Sequence, residues 1–193
     1  MNPDDPEGAT PLDPDEAEGL RLSFITTREQ LNIHEQENIR KAAERALAGK
    51  SRDILNEGYI RKLHREMFGE VWKWAGQFRR SGKNIGVSRE QIGVELRHLC
   101  EDTRYWIDHQ SYKPDEIAVR FHHRLVVIHP FANGNGRHAR LITDLLLEKL
   151  LDRPRFSWGR ASLYTGESRA RYIAALRAAD AGDYKPLMAF VRS

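Results

Sequence analysis

The sequence of 193 residues has a single cysteine, Cys100, and no long apolar run. One thiol excludes an intrachain disulfide framework, and its place in a helical pattern favours a buried packing residue over a catalytic thiol. A membrane-spanning helix needs about 20 apolar residues, and a signal peptide begins with positive charge; the sequence shows neither pattern. We therefore expect a soluble, cytoplasmic protein with one folded domain and no membrane partner.

Basic residues are missing from the first part of the chain. Residues 1–19 contain seven acids, four prolines and no lysine or arginine, which predicts an extended tail without a core of its own. Because the whole chain carries +3, residues 20–193 carry +10. A basic body suits a polyanion such as a nucleotide or nucleic acid, although a solvated surface of helix-forming arginines explains it equally well.

Strand signals are scarce. Only residues 76–87 break the helical pattern, and their turn residues Ser81-Gly82-Lys83-Asn84 predict a β-hairpin. Caps, prolines and apolar periodicity predict helices elsewhere. They are expected from Thr26 or Thr27 to Ala48, over Glu57–Phe68, after Ser88, from Pro114 to His129, from Gly134 towards Pro154, and over Glu167–Ala179 and Lys185–Arg192. The fold class predicted is an all-α bundle with a small β-hairpin flap.

The stretch from His129 to Arg140 concentrates groups that suit a phosphate ligand. Its Asn133-Gly134-Asn135-Gly136 turn opens a helix, where the first N–H groups have no partner within the helix and favour an anion. Arg137 and Arg140 share one helix face and offer guanidinium forks for outer phosphates. His129 precedes the turn and suits a general base. A glycine-rich turn alone more often has only a structural role, but the histidine and paired arginines favour function here.

These residues resemble the signature of Fic domains, His-x-Phe-x-(Asp/Glu)-Gly-Asn-Gly-Arg-x-x-Arg, at every fixed position except the acidic one. The likeness extends from Leu55 to Arg192 and includes Trp74-Ala75-Gly76-Gln77-Phe78-Arg79 before the hairpin. It implies a tail over 1–19, a helical extension over 20–54 and a Fic domain over 55–193. The head of the chain is similar to the branch called mobile mystery protein B, which occurs on mobile elements beside a helix-turn-helix partner.

The resemblance implies a protein adenylyltransferase, which moves AMP from ATP to a Ser, Thr or Tyr hydroxyl of a target protein. His129 would be the general base and Gly134, Asn135 and Gly136 the anion hole, while Arg137 and Arg140 would bind the outer phosphates. The flap that docks the target by strand pairing would consist of Lys83, Asn84, Ile85, Gly86 and Val87.

Asn133 stands where the family has a carboxylate that binds Mg²⁺. An amide offers Mg²⁺ an uncharged oxygen, and this hard cation prefers carboxylates. We therefore expect Mg²⁺ to enter with ATP and to be bound only weakly by the Asn133 carbonyl oxygen.

The chain lacks the inhibitory pattern (Ser/Thr)-x-x-x-Glu-(Gly/Asn) that restrains many Fic proteins. Glu37 precedes Asn38 on a predicted helix, but Ile33 stands four residues earlier. Arg140 is accordingly expected to be available for phosphate, and restraint, if any, to come from a helix-turn-helix or antitoxin-like partner. Glu37 is the less favoured, internal alternative.

Two other functions stay open. One is a kinase like the toxin-like Doc branch, whose loops resemble Ala-Asn-Lys-Arg where this chain has Gly134-Asn135-Gly136-Arg137. The other is a non-catalytic nucleotide- or nucleic-acid-binding module. A histidine metal site is not favoured, since no His-Glu-x-x-His occurs; His64 is expected to pack a helix and His138 to be exposed.

Overall fold

The computed structural model describes residues 13–50, 53–83, 85–160 and 166–193. Their architecture is a bundle of helices. The helices are α1 (Pro14–Ala17), α2 (Arg28–Ala48), α3 (Glu57–Phe68), α4 (Ile92–Asp108), α5 (Pro114–Ile128), α6 (Asn135–Lys149), α7 (Gly166–Asp180) and α8 (Lys185–Arg192), with a short 3₁₀ turn over Arg89–Gln91. The all-α fold class predicted from sequence is confirmed.

Local signals explain where the helices begin and end. Thr27 caps α2: its hydroxyl oxygen accepts a hydrogen bond from the Gln30 backbone N–H, and its own backbone N–H donates to the Gln30 side-chain oxygen. Two backbone donors at the start of the helix are thereby satisfied. Gly49 ends this helix. Pro114 occupies the first position of α5, where the missing N–H costs nothing.

Helix α6 lies at the centre of the bundle. Its residues Ile142, Leu145, Leu146 and Leu147 have no exposed surface, because α5 packs along one side of the helix while α2 and α3 contact it from another. Helix α4 packs against α5, and α7 pairs with α8. The junction between α5 and α6 is thereby fixed from several directions, and this junction contains the His129–Arg137 loop.

The predicted β-hairpin is not formed by the residues that the structure describes. The chain around residues 79–87 instead folds around one guanidinium group: Arg79 donates to the carbonyl oxygens of His129 at 2.7 Å, Ser81 at 3.1 Å and Val87. These carbonyls accept from a side chain, and among the described residues they are not part of a ladder with a second strand. The one pairing of strand type among the described residues is an isolated antiparallel bridge between Leu20 and Trp72.

Residues 13–21 form what we call the N-terminal strap, which packs across the segment that follows α3. Lys73 donates its backbone N–H to Gly19, Arg21 donates to Val71, and the Trp74 indole donates to the Glu16 carbonyl at 2.9 Å. The acidic tail predicted from sequence thus continues into a bound segment, while residues 1–12 lie outside the described part of the chain. No helix within the described ranges is long and apolar enough to cross a membrane.

Candidate active site

His129 follows the last residue of α5 and has a left-handed backbone, with φ 53° and ψ 58°. Its N–H still bonds to the Leu125 carbonyl at 3.2 Å, and its own carbonyl accepts from Arg79 Nε. A non-glycine residue in this region is uncommon and costs backbone energy. The surrounding contacts therefore impose this conformation, and it turns the chain from α5 into the loop before α6.

The imidazole of His129 is buried, with 5% of the residue exposed. Burial lowers its pKa to about 4, and the neighbouring Arg79 and Lys83 charges act in the same direction, against a backbone hydrogen bond to Val126. The ring is consequently neutral at pH 7. A neutral imidazole has a lone pair that can take a proton, as a general base requires.

The loop after His129 has a fixed shape. Asn135 closes it: its side-chain oxygen accepts from the Phe131 N–H at 2.9 Å, and its amide donates to the Phe131 carbonyl at 2.8 Å. Gly134 has φ 78° and packs so closely that a Cβ would lie 2.5 Å from the Phe68 ring. The backbone therefore enters α6 at one defined angle, and the first N–H groups of α6, including those of Asn135 and Gly136, lie where the start of a helix favours an anion.

Arg137 is in the first turn of α6 and forms a largely buried ion pair with Glu35 of α2, at 2.6 Å. The other Glu35 oxygen accepts from the Trp72 indole N–H at 2.6 Å. Arg137 also stacks over the Phe68 ring. In this conformation part of the donor fork predicted to bind phosphate is occupied by a carboxylate of the same chain.

Arg140 has different surroundings. It is partly exposed, lies 5.9 Å from the centre of the Tyr172 ring, and forms no ion pair with a carboxylate among the described residues. Its Nη1 would be 3.8 Å from a Cβ added at Gly136, so the guanidinium lies beside the start of α6. This position suits a cation that meets a phosphate bound there.

Asn133 has its side-chain oxygen at the mouth of the loop. That oxygen accepts from the Gly134 N–H at 2.6 Å and from Arg137 Nη2 at 3.2 Å. Within the described ranges no group of three His, Cys, Asp or Glu side chains could hold a metal ion. As an uncharged oxygen, the Asn133 side chain suits Mg²⁺ less well than a carboxylate, so most ligands of an ion bound at this loop would be nucleotide oxygens.

The predicted flap, Lys83–Val87, passes beside His129. Gly86 has φ 106°, and a Cβ there would lie 2.8 Å from the His129 Cβ. Ile85 is exposed and Val87 is half-buried, while Asn84 lies outside the described residues. The Lys83 side chain is only 3% exposed and is bound by Asp13 at 3.0 Å and Glu16 at 2.5 Å, so the strap and the flap are joined.

His138 behaves differently from the sequence prediction, and Glu37 is not the acid that reaches the motif. The sequence predicts an exposed His138, but this residue is fully buried, with Nε2 3.0 Å from the Ile60 carbonyl; the prediction is wrong because α3 covers this face of α6. Glu37 lies on the exposed face of α2 and pairs with Arg40 and Lys41. The acid that reaches the motif is Glu35, and it reaches Arg137 rather than Arg140.

Sequence reasoning misses two important residues. Glu35 falls on the stripe Leu31, Asn38 and Ala42, since spacings of four, three and four residues share one helix face. An acid on that stripe is the available signal. Arg79 stands out only as part of a motif, and nothing local in the sequence indicates that its guanidinium organises the flap.

Comparison with known proteins places this geometry in a family. Residues 54–147 match the model of the Fic/DOC family. The chain is 30% identical over 154 residues to the protein adenylyltransferase fic-1 of Caenorhabditis elegans. The aligned region covers 76% of this chain and 28% of that protein. It is likewise 30% identical over 136 residues to the protein adenylyltransferase Fic of Drosophila virilis, with 68% and 27% covered. The chain thus spans about a quarter of the length of these relatives.

Solved structures show the same fold. Residues 134–508 of the C. elegans protein superpose with a TM-score of 0.67 at 27% identity, covering 91% of this chain and 51% of that one. The BepC protein of Bartonella tribocorum, a VirB-translocated effector with bound AMPPNP, superposes with a TM-score of 0.68 at 18% identity, covering 87% of each chain.

Proposed function

Because the chain belongs to the Fic/DOC family through residues 54–147, we propose that it is a protein adenylyltransferase. ATP would donate AMP to a Ser, Thr or Tyr hydroxyl of a target protein. The observation that carries this proposal is the position of His129: a buried, neutral imidazole held directly before the glycine-rich start of α6 and beside Gly86 of the flap.

The chemistry follows from this placement. The target hydroxyl oxygen forms a bond to the α-phosphorus, the bond from that phosphorus to the bridging oxygen of the β-phosphate breaks, and pyrophosphate leaves. The hydroxyl proton goes to the imidazole of His129. The N–H groups at the start of α6 and the Arg140 guanidinium favour the phosphate charge, and fixed alignment of the reactants lowers the barrier.

Known proteins of the same fold support this reading of the reaction. Both the nematode and the fly protein bear the name protein adenylyltransferase, and the Bartonella protein BepC has AMPPNP, an ATP analogue, bound to it. We propose ATP as the nucleotide here, with Mg²⁺ carried by its phosphates and Asn133 as a weak additional oxygen ligand.

The finer sequence predictions stay proposals. They comprise the domain boundaries at 19 and 54, the role of Lys83–Val87 in docking the target, the mobile mystery protein B branch and its mobile element, a helix-turn-helix or antitoxin-like partner, toxin-like action and a cytoplasmic site. The joined strap and flap supply one physical constraint: a target segment that pairs with the flap must fit beside the Asp13–Lys83–Glu16 contacts.

The position of the radioactive label in ATP distinguishes the proposed adenylyltransferase from its main rival, a Doc-like kinase. Incubation with a cell lysate and ATP labelled at the α-phosphate should label a protein band, whereas ATP labelled at the γ-phosphate should not. Label from the γ-phosphate alone would show a Doc-like kinase. Absence of both labels, with salt-sensitive binding to nucleic acid, would favour the non-catalytic binding module.

A further inference from the structure

His64, on α3, lies between two backbone segments and has no exposed surface. Its Nδ1 accepts a hydrogen bond from the Gly76 N–H at 3.0 Å, and its Nε2 is 3.1 Å from the Asn133 carbonyl oxygen. A nitrogen that accepts carries no proton, so a neutral ring must have its proton on Nε2. Nε2–H therefore donates to Asn133, and one tautomer satisfies both contacts.

The protonation state agrees with this arrangement. Burial holds the pKa of His64 well below its usual range, and the neighbouring His138 acts in the same direction. A protonated ring would have no acceptor for Gly76, and the second proton would be a buried charge without a partner. His64 is consequently neutral whenever the protein is folded near pH 7.

His64 contacts the His129–Arg137 loop at two points. Besides the Asn133 carbonyl, its ring stacks on Phe131, with centroids 3.7 Å apart and planes inclined by 22°. The Asn135 side chain already fixes the loop internally through Phe131. His64 adds the contact from outside the loop, immediately before Gly134, where the chain turns into α6. The carbonyl direction at Asn133 sets the plane of the peptide that carries the Gly134 N–H.

We propose that His64 is a positioning residue: its Nε2–H holds the Asn133 carbonyl and so orients the start of α6 towards a bound phosphate, while the ring itself touches no substrate. The role deepens the proposed function, on which its effect on AMP transfer rests. A displacement of about 1 Å at such a loop can lower a rate about a hundredfold.

Two substitutions at His64 each keep one of its two hydrogen bonds and remove the other. In His64→Gln the side-chain amide lies near the position of Nε2 and can still donate to Asn133. In His64→Asn the side-chain oxygen lies near the position of Nδ1 and can still accept from Gly76, but nothing reaches Asn133. Both variants lose the ring that stacks on Phe131. A difference between them therefore reflects the hydrogen bonds and not the lost packing.

The experiment makes three kinds of measurement on the full chain. They are the ¹⁵N shifts of the His64 ring in the wild type, the amide shifts of Gly134 and Gly136 in all three proteins, and kcat and KM for ATP in AMP transfer. We expect the wild-type ring to be protonated at Nε2. The amide shifts of the loop should differ from wild type in His64→Asn but stay close to wild type in His64→Gln. We expect kcat to be lower in His64→Asn than in His64→Gln by about tenfold or more.

Three results would overturn the proposal: a wild-type ring protonated at Nδ1, loop amides equally displaced in both variants, or equal loss of kcat in both. The ring measurement needs no variant, so it can overturn the proposal even where a substitution unfolds the protein. If the amides shift as expected but no form transfers AMP, the positioning of the loop stands and the proposed function fails.

Discussion

Glu35 is a carboxylate on the buried face of a helix, and its partner is a motif arginine. Because the Glu35–Arg137 pair is largely removed from solvent, Arg137 must exchange a carboxylate for a phosphate oxygen to use its whole fork on a nucleotide. We predict that Glu35→Gln, which keeps the shape and an oxygen for Trp72, raises kcat/KM for ATP about tenfold or more. One charge-assisted hydrogen bond is worth about 1.5–3 kcal/mol.

The matched control is Glu37→Gln, two residues away on the exposed face of α2 and paired with Arg40. Exposed pairs within a helix contribute little, so this variant should resemble the wild type in steady-state kinetics. A loss of ATP use in Glu35→Gln with Glu37→Gln unchanged would contradict the prediction, and would mean that the ion pair orients Arg137 for phosphate.

Asn133 provides a second test at the scale of one residue. In Asn133→Asp a carboxylate replaces the uncharged oxygen that now accepts from Arg137 Nη2, and carboxylate is the ligand that Mg²⁺ prefers. We predict that this variant reaches half-maximal transfer at a lower Mg²⁺ concentration, measured by titration at saturating ATP. Asn133→Ala is the control that removes the oxygen; an unchanged Mg²⁺ requirement in both variants would rule out any part for this side chain in binding the metal.

Among the elements, the strap and the flap form a unit. Lys83 is buried and bound by two acids of the strap, Asp13 and Glu16. Removing those charges leaves a buried ammonium with weaker partners, which is costly. We predict that the double variant Asp13→Asn/Glu16→Gln opens the flap more often, so that amide hydrogen exchange over residues 79–87 becomes about tenfold faster or more.

Glu18→Gln is the control for this experiment, since Glu18 is an exposed acid of the same strap. It changes the charge of the strap without touching Lys83. Equal exchange rates in the double variant and the wild type would mean that the strap does not restrain the flap.

Helices are more predictable than the flap for a physical reason. The bounds of α2, α3 and α8 follow from caps, prolines and apolar spacing within each segment, and these are local interactions. The flap takes its shape from Arg79, which binds the His129 carbonyl 50 residues away. A turn-rich sequence predicts a hairpin in isolation, but it does not reveal that distant partner.

The contacts of the site also differ in how far the sequence predicts them. The order of His129, the glycine turn and the two arginines can be read directly because the loop and the start of α6 are contiguous in sequence. The Glu35–Arg137 pair spans 102 residues and the His64–Asn133 contact spans 69. Both depend on how α2 and α3 pack against α6, which spacing within one helix does not specify.

At the scale of the whole molecule, buried histidines should make stability depend on pH. Burial lowers the pKa of His122 to about 3 and those of His129 and His138 to about 4, and the pKa of His64 is also well below its usual range. Unfolded histidines take up protons near pH 6.5. The unfolded chain thus binds more protons between pH 6.5 and 4, and stability falls as pH is lowered through this window, by about 1.4 kcal/mol per pH unit for each of His122, His129 and His138.

Asp144 acts in the opposite direction. Burial raises its pKa to about 6, so the folded state takes up a proton there before the unfolded state does, and stability gained below pH 6 offsets about one histidine. Urea unfolding should therefore show a midpoint that is much lower at pH 5 than at pH 7. In Asp144→Asn, which removes the offset, the difference between the two pH values should be larger. A midpoint that is constant from pH 7 to 5 would contradict the account.

The central claim concerns the imidazole of His129, and the rate of AMP transfer from α-labelled ATP tests it most directly. His129→Asn is the best comparison, because asparagine tolerates the left-handed backbone but is no base; circular dichroism would check that it folds. Since a general base contributes about 10²–10⁴-fold, the variant should transfer AMP at least about a hundredfold more slowly than the wild type. Equal rates in the two proteins would contradict the assignment of His129 as the base and, with it, the proposed mechanism.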